Sequence, residues 1–228
     1  MVDVHSHILP FVDDGCSTLE EALTLLGDHV AQGVKTFILT PHYRKEEYEP
    51  SVEELKRVFN DFEKAVAEKF PNVKLYLGEE IFCDMNVYSL LKEGKVIPIG
   101  NTNKVLLEFN YTAFTDIADF AYNVMYSGYT PIIAHIERYE YVKRIDQIVE
   151  MKENGALIQV NAESLLDPVL RKRIFILIKN GLIDFISSDA HYSRKACAKE
   201  AYKIIAKKFS REIADNLFFK NAENLILN

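Results

Sequence analysis

The feature of this chain that most limits its fold is a regular alternation of strand-like and helix-like patterns. Short apolar runs rich in β-branched residues predict strands at about 2–5, 35–39, 73–78, 104–109, 131–134, 156–160 and 183–187. Amphipathic stretches between these runs predict helices. Parallel strands need helical crossovers, so seven strand–helix units in succession predict a parallel α/β sheet covered by helices.

The helix boundaries are marked most clearly near the amino terminus. Apolar stripes at helical spacing cover 19–30 and 52–66, and Ser17 and Ser51, each with a glutamate three residues later, predict capping boxes at their starts. Further helices are predicted at 115–127, 141–153, 168–180, 194–208 and about 210–219. The last of them is expected to close one end of the sheet.

The composition excludes several classes of protein. The 228 residues are 48% hydrophobic, which suits a single domain over 1–228, and no apolar run is long enough to cross a membrane. No signal peptide is visible, and Cys16, Cys83 and Cys197 predict free thiols, so a cytoplasmic protein without membrane insertion is expected. A net charge of −7 argues against nucleic-acid binding. The chain also lacks a Cys-x5-Arg phosphate loop, a Gly-x-Ser-x-Gly elbow and a Walker A loop.

Polar residues gather where the predicted strands end. The clusters are His5-Ser6-His7, Pro41-His42-Tyr43, Gly78-Glu79-Glu80, Leu107-Glu108-Phe109, His135-Ile136-Glu137-Arg138, Gln159-Val160-Asn161 and Ser188-Asp189-Ala190-His191. In barrel enzymes the catalytic residues come from the carboxyl ends of several strands. Ligands at nearly every strand end can face one centre only if the sheet closes, which favours a closed, distorted seven-stranded barrel over an open doubly wound sheet.

The spacing of these residues indicates a metal site. His5 and His7 are two residues apart, so both side chains face the same side of a strand, and Asp189 and His191 repeat this spacing. The sixth histidine, His29, lies inside the first helix and is expected to be structural. A ligand set of nitrogen and oxygen without cysteine suits Mn²⁺, Fe²⁺ or Zn²⁺.

The order of these motifs resembles that of the PHP (polymerase and histidinol phosphatase) superfamily, over nearly the whole chain. The closest resemblance is to its branch of bacterial manganese-dependent protein-tyrosine phosphatases from capsule and exopolysaccharide operons. Two motifs point to this branch rather than to histidinol phosphatases, namely Asp13-Asp14-Gly15 and His135-x-Glu137-Arg138-Tyr139.

The resemblance implies a distorted (β/α)7 TIM-like barrel of the PHP fold with two or three divalent metal ions, Mn²⁺ foremost. One ion would take His5, His7, Glu80 and Asp189. A second would share Glu80 and add Glu108 and His135, and a third would take Asp14, His42 and His191. Arg138 matches the family's catalytic, phosphate-binding arginine. The chain departs from the family pattern at Ile136, at 165–168 and at Arg194, which lies nearer to the last histidine than the family's second arginine.

The function implied by the resemblance is hydrolysis of phosphotyrosine on proteins. The expected partner is the tyrosine-rich tail of a membrane-associated kinase that regulates capsular or exopolysaccharide synthesis. Two alternatives remain open at this point, a small-molecule phosphatase such as histidinol phosphatase and a catalytically weak regulatory binding module. Aromatic residues beside the motifs are expected to line the mouth of the site or to pack the barrel end, namely Phe11, Tyr43, Tyr111, Phe114, Tyr139 and Tyr192.

Overall fold

The computed structural model describes residues 1–84 and 87–227. Within them the strands are β1 (Val2–Asp3), β2 (Thr36–Leu39), β3 (His42–Tyr43), β4 (Lys74–Leu77), β5 (Glu80–Phe82), β6 (Lys104–Glu108), β7 (Thr130–Ile133), β8 (Leu157–Asn161) and β9 (Phe185–Ser187). The α-helices are α1 (Leu19–Ala31), α2 (Val52–Lys69), α3 (Val87–Glu93), α4 (Ile117–Tyr126), α5 (Ile145–Glu153), α6 (Pro168–Lys179), α7 (Ala198–Lys208), α8 (Arg211–Asp215) and α9 (Asn221–Leu227).

The strands pair in parallel in two hydrogen-bonded groups, β1-β2-β4 and β3-β5-β6-β7-β8-β9. These groups are continuous, because β2 and β3 are successive parts of one strand region and so are β4 and β5. The ladder between the two regions runs on through the breaks: the Gly78 N–H donates to the Leu39 carbonyl over 2.9 Å, and the Glu80 N–H donates to the Pro41 carbonyl over 3.0 Å.

The sheet closes between its first and last strand regions. The His7 N–H donates to the Ala190 carbonyl and the Asp189 N–H to the His5 carbonyl, each over 2.9 Å. Seven parallel strand regions therefore form a distorted barrel with helices outside, and the predicted fold class is confirmed.

The two ends of the barrel differ in polarity. Its interior near the amino-terminal strand ends is apolar, with Val4, Ile38 and Leu106 packed together, and Ala222 and Leu225 of α9 cover this end. The polar residues that follow the strands lie at the opposite, carboxyl-terminal end. No helix within 1–84 and 87–227 is long and apolar enough to span a membrane, and the three cysteines are free thiols.

Several boundaries differ from the sequence prediction. The predicted capping box at Ser17 is wrong by one residue, since the Thr18 side chain accepts from the Glu21 N–H and Glu21 reaches back to the Ser17 N–H. The same spacing recurs one residue later, which explains the shift. Ser51 caps α2 as predicted. Helices α5 and α7 begin four residues later than predicted. Residues 141–144 and 194–197, the predicted first turns of these helices, form loops.

Candidate metal centre

The nine residues predicted as ligands lie at the carboxyl-terminal end of the barrel, and Glu80 is at their centre. The Glu80 Oε1 is 3.3 Å from the His5 Nε2 and 2.9 Å from the His135 Nε2. The Glu80 Oε2 is 3.2 Å from the His7 Nε2 and 3.0 Å from the His42 Nδ1. One buried carboxylate thus faces four imidazoles drawn from three strand regions, because His5 and His7 follow the same strand.

Two further contacts extend this cluster towards the outside. The Asp14 Oδ1 is 3.6 Å from the His42 Nε2 and 3.5 Å from the His191 Nε2. The Glu108 Oε1 is 3.7 Å from the His135 Nε2. Ligand atoms lie within 4.8 Å of one another in three groups, His7-Asp14-His42-His191, His5-His7-Glu80 and His42-Glu80-Glu108.

The Nδ1 atoms of three histidines are held by hydrogen-bond partners outside the centre, which turns their Nε2 atoms towards it. The His7 Nδ1–H donates to the Asp13 Oδ2 over 2.7 Å, and the His191 Nδ1–H donates to the Asp189 carbonyl over 3.0 Å. The His5 Nδ1 lies 3.3 Å from the Gln159 Oε1. Each of these contacts leaves an Nε2 free to face the centre, as metal-binding imidazoles require.

The nitrogen and oxygen atoms that face the centre lie close together and would be stabilised by a positive charge between them. The Nε2 atoms of His5 and His7 are only 3.1 Å apart, and two lone pairs at that distance repel unless a proton or metal lies against them. The Oε2 atoms of Glu80 and Glu108 are buried. Imidazole nitrogens lie near them, but neither atom accepts a well-aligned hydrogen bond from the described residues. A nitrogen and oxygen set of this kind fits divalent transition metals.

Carboxylates and imidazoles of the cluster shift one another's pKa values. Burial alone would raise the pKa of Asp189, but the neighbouring histidines, His5 foremost, hold it below its usual range. Burial would lower the pKa of His7, whereas the carboxylates of Asp13 and Glu80 raise it well above its ordinary value. The centre thus stabilises its carboxylates in the charged form that binds metals.

The backbone is strained where two of these residues leave their strands. His135 has φ 30° and Asp189 has φ 51°, both in the left-handed region that residues other than glycine rarely adopt. Such strain is concentrated at functional sites. At Gly15 the constraint is space. Any larger residue would clash, because a Cβ there would lie 1.9 Å from the His7 carbonyl oxygen. Only glycine lets the loop that carries Asp14 lie this close to His7.

Asp13 holds this loop in place, and its role is not evident from the ligand pattern alone. Besides His7, its carboxylate accepts from the His42 N–H and the Gly15 N–H, each over 3.0 Å. The side chain is fully buried. Its position beside Asp14 in the sequence is the only signal that could have indicated it.

We expect Asp13→Asn to lower metal affinity or activity about 10- to 100-fold, the usual loss when a carboxylate behind a metal-binding histidine is removed. The amide can still accept from the His7 Nδ1–H, but it no longer increases the basicity of the ring. Titration of the apoprotein with Mn²⁺, with Asp61→Asn on the exposed surface of α2 as control, measures the change. An unchanged affinity would assign Asp13 to loop folding alone.

A chain of amides supports the opposite wall of the centre. The Gln159 Oε1 accepts from the His135 N–H over 2.6 Å, and the Gln159 Nε2 donates to the Asn161 Oδ1 over 2.8 Å. The Asn161 Nδ2 then donates to the Asp189 Oδ2 over 2.7 Å. The two amides are two residues apart on β8, so both point into the barrel, and they orient His135 and Asp189.

The two adjacent glutamates of the third strand region point in different directions. Glu80 enters the cluster, whereas Glu79 is buried on the other side, where its Oε2 accepts from the Ile97 N–H. Its Oε1 has no hydrogen-bond partner in the described part of the chain. Burial raises the pKa of Glu79 to about 8, so at neutral pH this side chain is mostly protonated.

We expect Glu79→Gln to reduce the pH dependence of stability. Between the ordinary glutamate pKa of 4.5 and about 8, the folded chain holds a proton that the unfolded chain has lost, so stability falls as pH rises through this window. Glutamine does not titrate. The free energy of unfolding of the variant, relative to that of the native protein, should therefore rise by about 2–4 kcal/mol between pH 5 and about pH 8.5. Urea unfolding of both metal-free proteins across this range measures it. Parallel pH profiles would mean that Glu79 is already ionised when folded.

Arginines approach the centre from two sides. The Nη1 atoms of Arg138 and Arg194 lie 2.8 and 2.7 Å from the Asp189 Oδ2. On the opposite side, the Arg44 Nη2 is 3.7 Å from the Glu108 Oε2 and its guanidinium lies 4.2 Å from the centre of the Phe82 ring. These three side chains place guanidinium groups at the rim, each of them beside a carboxylate.

Arg138 is not paired with its neighbour Glu137. The Glu137 Oε1 accepts from the Asn161 N–H over 2.8 Å and from the Ser164 hydroxyl over 2.7 Å. Burial would lower the pKa of Arg138, but Asp189 and other neighbours raise it, so the guanidinium stays charged. Its side chain is 26% exposed, and it therefore reaches both the buried cluster and the solvent.

The aromatic residues beside the motifs divide into two sets. Phe11, Tyr111 and Tyr192 are exposed on the loops around the centre, and Phe114, three residues after Tyr111, is exposed too. Of the two placements left open by the sequence, Tyr43 and Tyr139 take the packing one, because both are buried in the core. Tyr48, which the motifs do not include, stacks on His42 with ring centres 5.9 Å apart.

Comparisons with known proteins agree with the fold and the motifs. Residues 1–227 match the family model described as capsular polysaccharide synthesis, CpsB/CapC. The chain is 32% identical to Tyrosine-protein phosphatase CpsB of Streptococcus agalactiae, over 100% of this chain and 99% of that protein. It is 28% identical to Tyrosine-protein phosphatase YwqE of Bacillus subtilis, over 100% of this chain and 92% of that protein.

The same similarity holds in three dimensions. A chain from the crystal structures of YwqE from Bacillus subtilis and CpsB from Streptococcus pneumoniae, described as unique metal-dependent tyrosine phosphatases, superimposes with a TM-score of 0.92 at 28% identity, over 100% of this chain and 95% of that chain. Histidinol phosphate phosphatase of Lactococcus lactis shares the fold, with a TM-score of 0.62 at 14% identity over 91% and 92% of the two chains. Because the family model covers the chain from residue 1 to residue 227, the chain belongs to the CpsB/CapC family of capsular polysaccharide synthesis.

Proposed function

We propose that this chain is a metal-dependent protein-tyrosine phosphatase, formed by one domain over 1–228. The observation that carries the proposal is the buried Glu80 carboxylate among four imidazoles, with Arg138 at its edge. Its relatives of nearly equal length bear the name of tyrosine-protein phosphatase. An inactive binding module would have no need to bury this many ionisable groups, so the completeness of the cluster favours an enzyme.

The proposed ligand assignment is the one that the family resemblance implies. The three groups of close donors overlap with it but do not coincide, since they contain neither His135 nor Asp189 and they group His42 with Glu80 and Glu108. One divalent ion would be held by His5, His7, Glu80 and Asp189, and a second by Glu80, Glu108 and His135. A third would be held by Asp14, His42 and His191. Mn²⁺ is the proposed metal, with Fe²⁺ and Zn²⁺ chemically compatible. When bound, such ions polarise phosphoryl oxygens and lower the pKa of water towards about 7.

The residues of the chain supply binding and orientation. Arg138 is proposed as the catalytic arginine, because its planar guanidinium can donate two parallel hydrogen bonds to phosphoryl oxygens and offset the charge that grows on them in the transition state. The Tyr111 hydroxyl donates to the Glu108 Oε1 over 2.6 Å, which fixes one carboxylate oxygen and leaves the other free. Asp13 and Gln159 hold the histidines in the required tautomers.

The shape of the mouth favours a phosphotyrosine in an extended polypeptide. The loop from Pro10 to Cys16 is short, closed by the Phe11 N–H donating to the Cys16 carbonyl over 2.9 Å, and the side chain of its Asp14 is 51% exposed. Phe11, Tyr111 and Tyr192 offer exposed aromatic surface to a phenyl ring. The proposed partner is the tyrosine-rich tail of a membrane-associated kinase that controls capsule synthesis. Three free thiols fit a cytoplasmic location.

The test compares kcat/KM for a phosphotyrosine peptide, the matching phosphoserine peptide and histidinol phosphate at one Mn²⁺ concentration. We expect the phosphotyrosine peptide to lead by about tenfold or more. A phenyl ring offers the exposed aromatic surface a larger contact than an imidazole does, phosphoserine has no ring, and a phenolate leaves more readily than an alkoxide. A tenfold lead of histidinol phosphate would assign the chain to small-molecule hydrolysis. Equal rates would mean a phosphatase without substrate preference.

A further inference from the structure

The positive charge of this acidic chain is concentrated in one region. Residues 168–208 contain ten of its 27 lysines and arginines but only three of its 34 aspartates and glutamates. The region comprises α6, β9 and α7. Because β8 and β9 are neighbours in the sheet, the helices that follow them lie side by side on the outside of the barrel.

The exposed residues of α6 form a stripe of alternating character. Val169, Lys172, Ile176 and Lys179 follow one another at spacings of three and four residues, so they share one face of the helix. All four are exposed, Val169 by 75% and Ile176 by 51%. We call these four residues the α6 stripe.

The lysines of α7 extend this surface. Lys199, Lys203 and Lys207 repeat every four residues and are exposed along the helix. At the end of α7, the Lys208 Nζ lies 5.5 Å from the centre of the Phe175 ring of α6, which joins the two helices. None of the lysines of α6 and α7 forms an ion pair within the described residues. Arg173 and Arg194 are held in place instead, Arg173 by a backbone carbonyl and Arg194 by Asp189.

Unpaired lysines around exposed branched aliphatic residues are typical of a surface that lies on anionic lipid. Lysines near such a membrane are attracted by its negative surface potential, and apolar side chains between them enter the boundary between headgroups and acyl chains. Protein interfaces instead favour arginine and aromatic residues and are depleted in lysine. Single-stranded nucleic acid is bound through exposed aromatic platforms, and Phe175 is here covered by Lys208.

We propose that the α6 stripe and the lysines of α7 form a peripheral docking surface for membranes rich in anionic phospholipid. Both helices begin at the catalytic end of the barrel, α6 seven residues after Asn161 and α7 seven residues after His191. Docking on their outer face leaves the mouth open beside the membrane. If the proposed function holds, this places the site within reach of phosphotyrosines on membrane-tethered proteins. The binding itself does not depend on that function.

The experiment is sedimentation of the purified full chain with vesicles of phosphatidylcholine alone or with about one third phosphatidylglycerol. We expect binding only to the anionic vesicles, weakened at high salt because screening shortens the range of the lysine charges. Lys172→Glu/Lys179→Glu should weaken binding at least tenfold, and Val169→Ser/Ile176→Ser about threefold. The control Lys56→Glu/Arg57→Glu on α2 makes the same change in net charge and should retain binding.

Hydrolysis of p-nitrophenyl phosphate in solution, which involves none of these residues, should be unchanged in all variants and shows that they are folded. Absence of binding to anionic vesicles would overturn the proposal, as would an equal loss in the α2 control, which would reduce the effect to net charge. Binding of poly-glutamate or single-stranded DNA as strong as that of the vesicles would assign the surface to another class of partner. A lack of phosphatase activity combined with intact vesicle binding would refute only the proposed function.

Discussion

Arg138→Ala is expected to lower kcat by about 10²–10³ while the metal content stays unchanged. This is the usual cost of removing one donor that stabilises charge in the transition state. The guanidinium is 2.8 Å from the Asp189 Oδ2 and still 26% exposed, so it can contact a phosphoryl group bound at the mouth. Steady-state kinetics with a phosphotyrosine peptide and elemental analysis of the same preparation measure the two quantities.

Two further variants separate a catalytic role from a structural one. Arg138→Lys keeps the charge but loses the planar pair of donors, so it should restore little activity. Arg144→Ala removes a solvent-exposed arginine that pairs only with Asp146 in the described residues, and it should leave turnover unchanged. Near-normal turnover of Arg138→Ala, or loss of metal in parallel with activity, would show that the residue merely supports Asp189.

The sequence could predict where the ligands converge because strand ends follow from short apolar runs. Once the sheet is known to be parallel and closed, residues that follow the strands must meet at one end, as His5, Glu80 and His135 do. The i, i+2 spacing places His5 and His7 on the same side. The strand period and the direction of the chain are enough to predict this convergence.

What could not be predicted depends on contacts between distant segments. Gln159 receives its role from the His135 N–H and from His5, which lie 24 and 154 residues away. Thr18 rather than Ser17 caps α1, because both fit the same pattern and packing decides between them. The two strand breaks, at 40–41 between β2 and β3 and at 78–79 between β4 and β5, lie side by side in the sheet, which the apolar runs do not reveal.

Glu80→Gln is expected to have the largest effect of any single substitution, a loss of about 10³-fold or more in kcat together with a fall in metal content. Among residues 1–84 and 87–227, Glu80 is the one carboxylate that lies within 3.3 Å of four imidazoles, and it would be shared by two of the three proposed ions. Glutamine retains the size but not the charge, and several kilocalories per mole of charge stabilisation are lost with it. EDTA should likewise abolish activity of the native protein, and Mn²⁺ should restore it.

The matched control is the preceding residue. Glu79→Gln makes the same chemical change one position away, but Glu79 contacts the Ile97 N–H rather than the histidines. At pH 7 this variant should keep the native metal content, two or three ions per chain, and nearly native turnover. Equal losses in both variants would mean that the segment tolerates no substitution, and retention of metal and activity by Glu80→Gln would refute the proposed centre. A loss confined to Glu80→Gln can only come from the carboxylate that faces the imidazoles, because the backbone and the volume of the side chain are the same in both experiments.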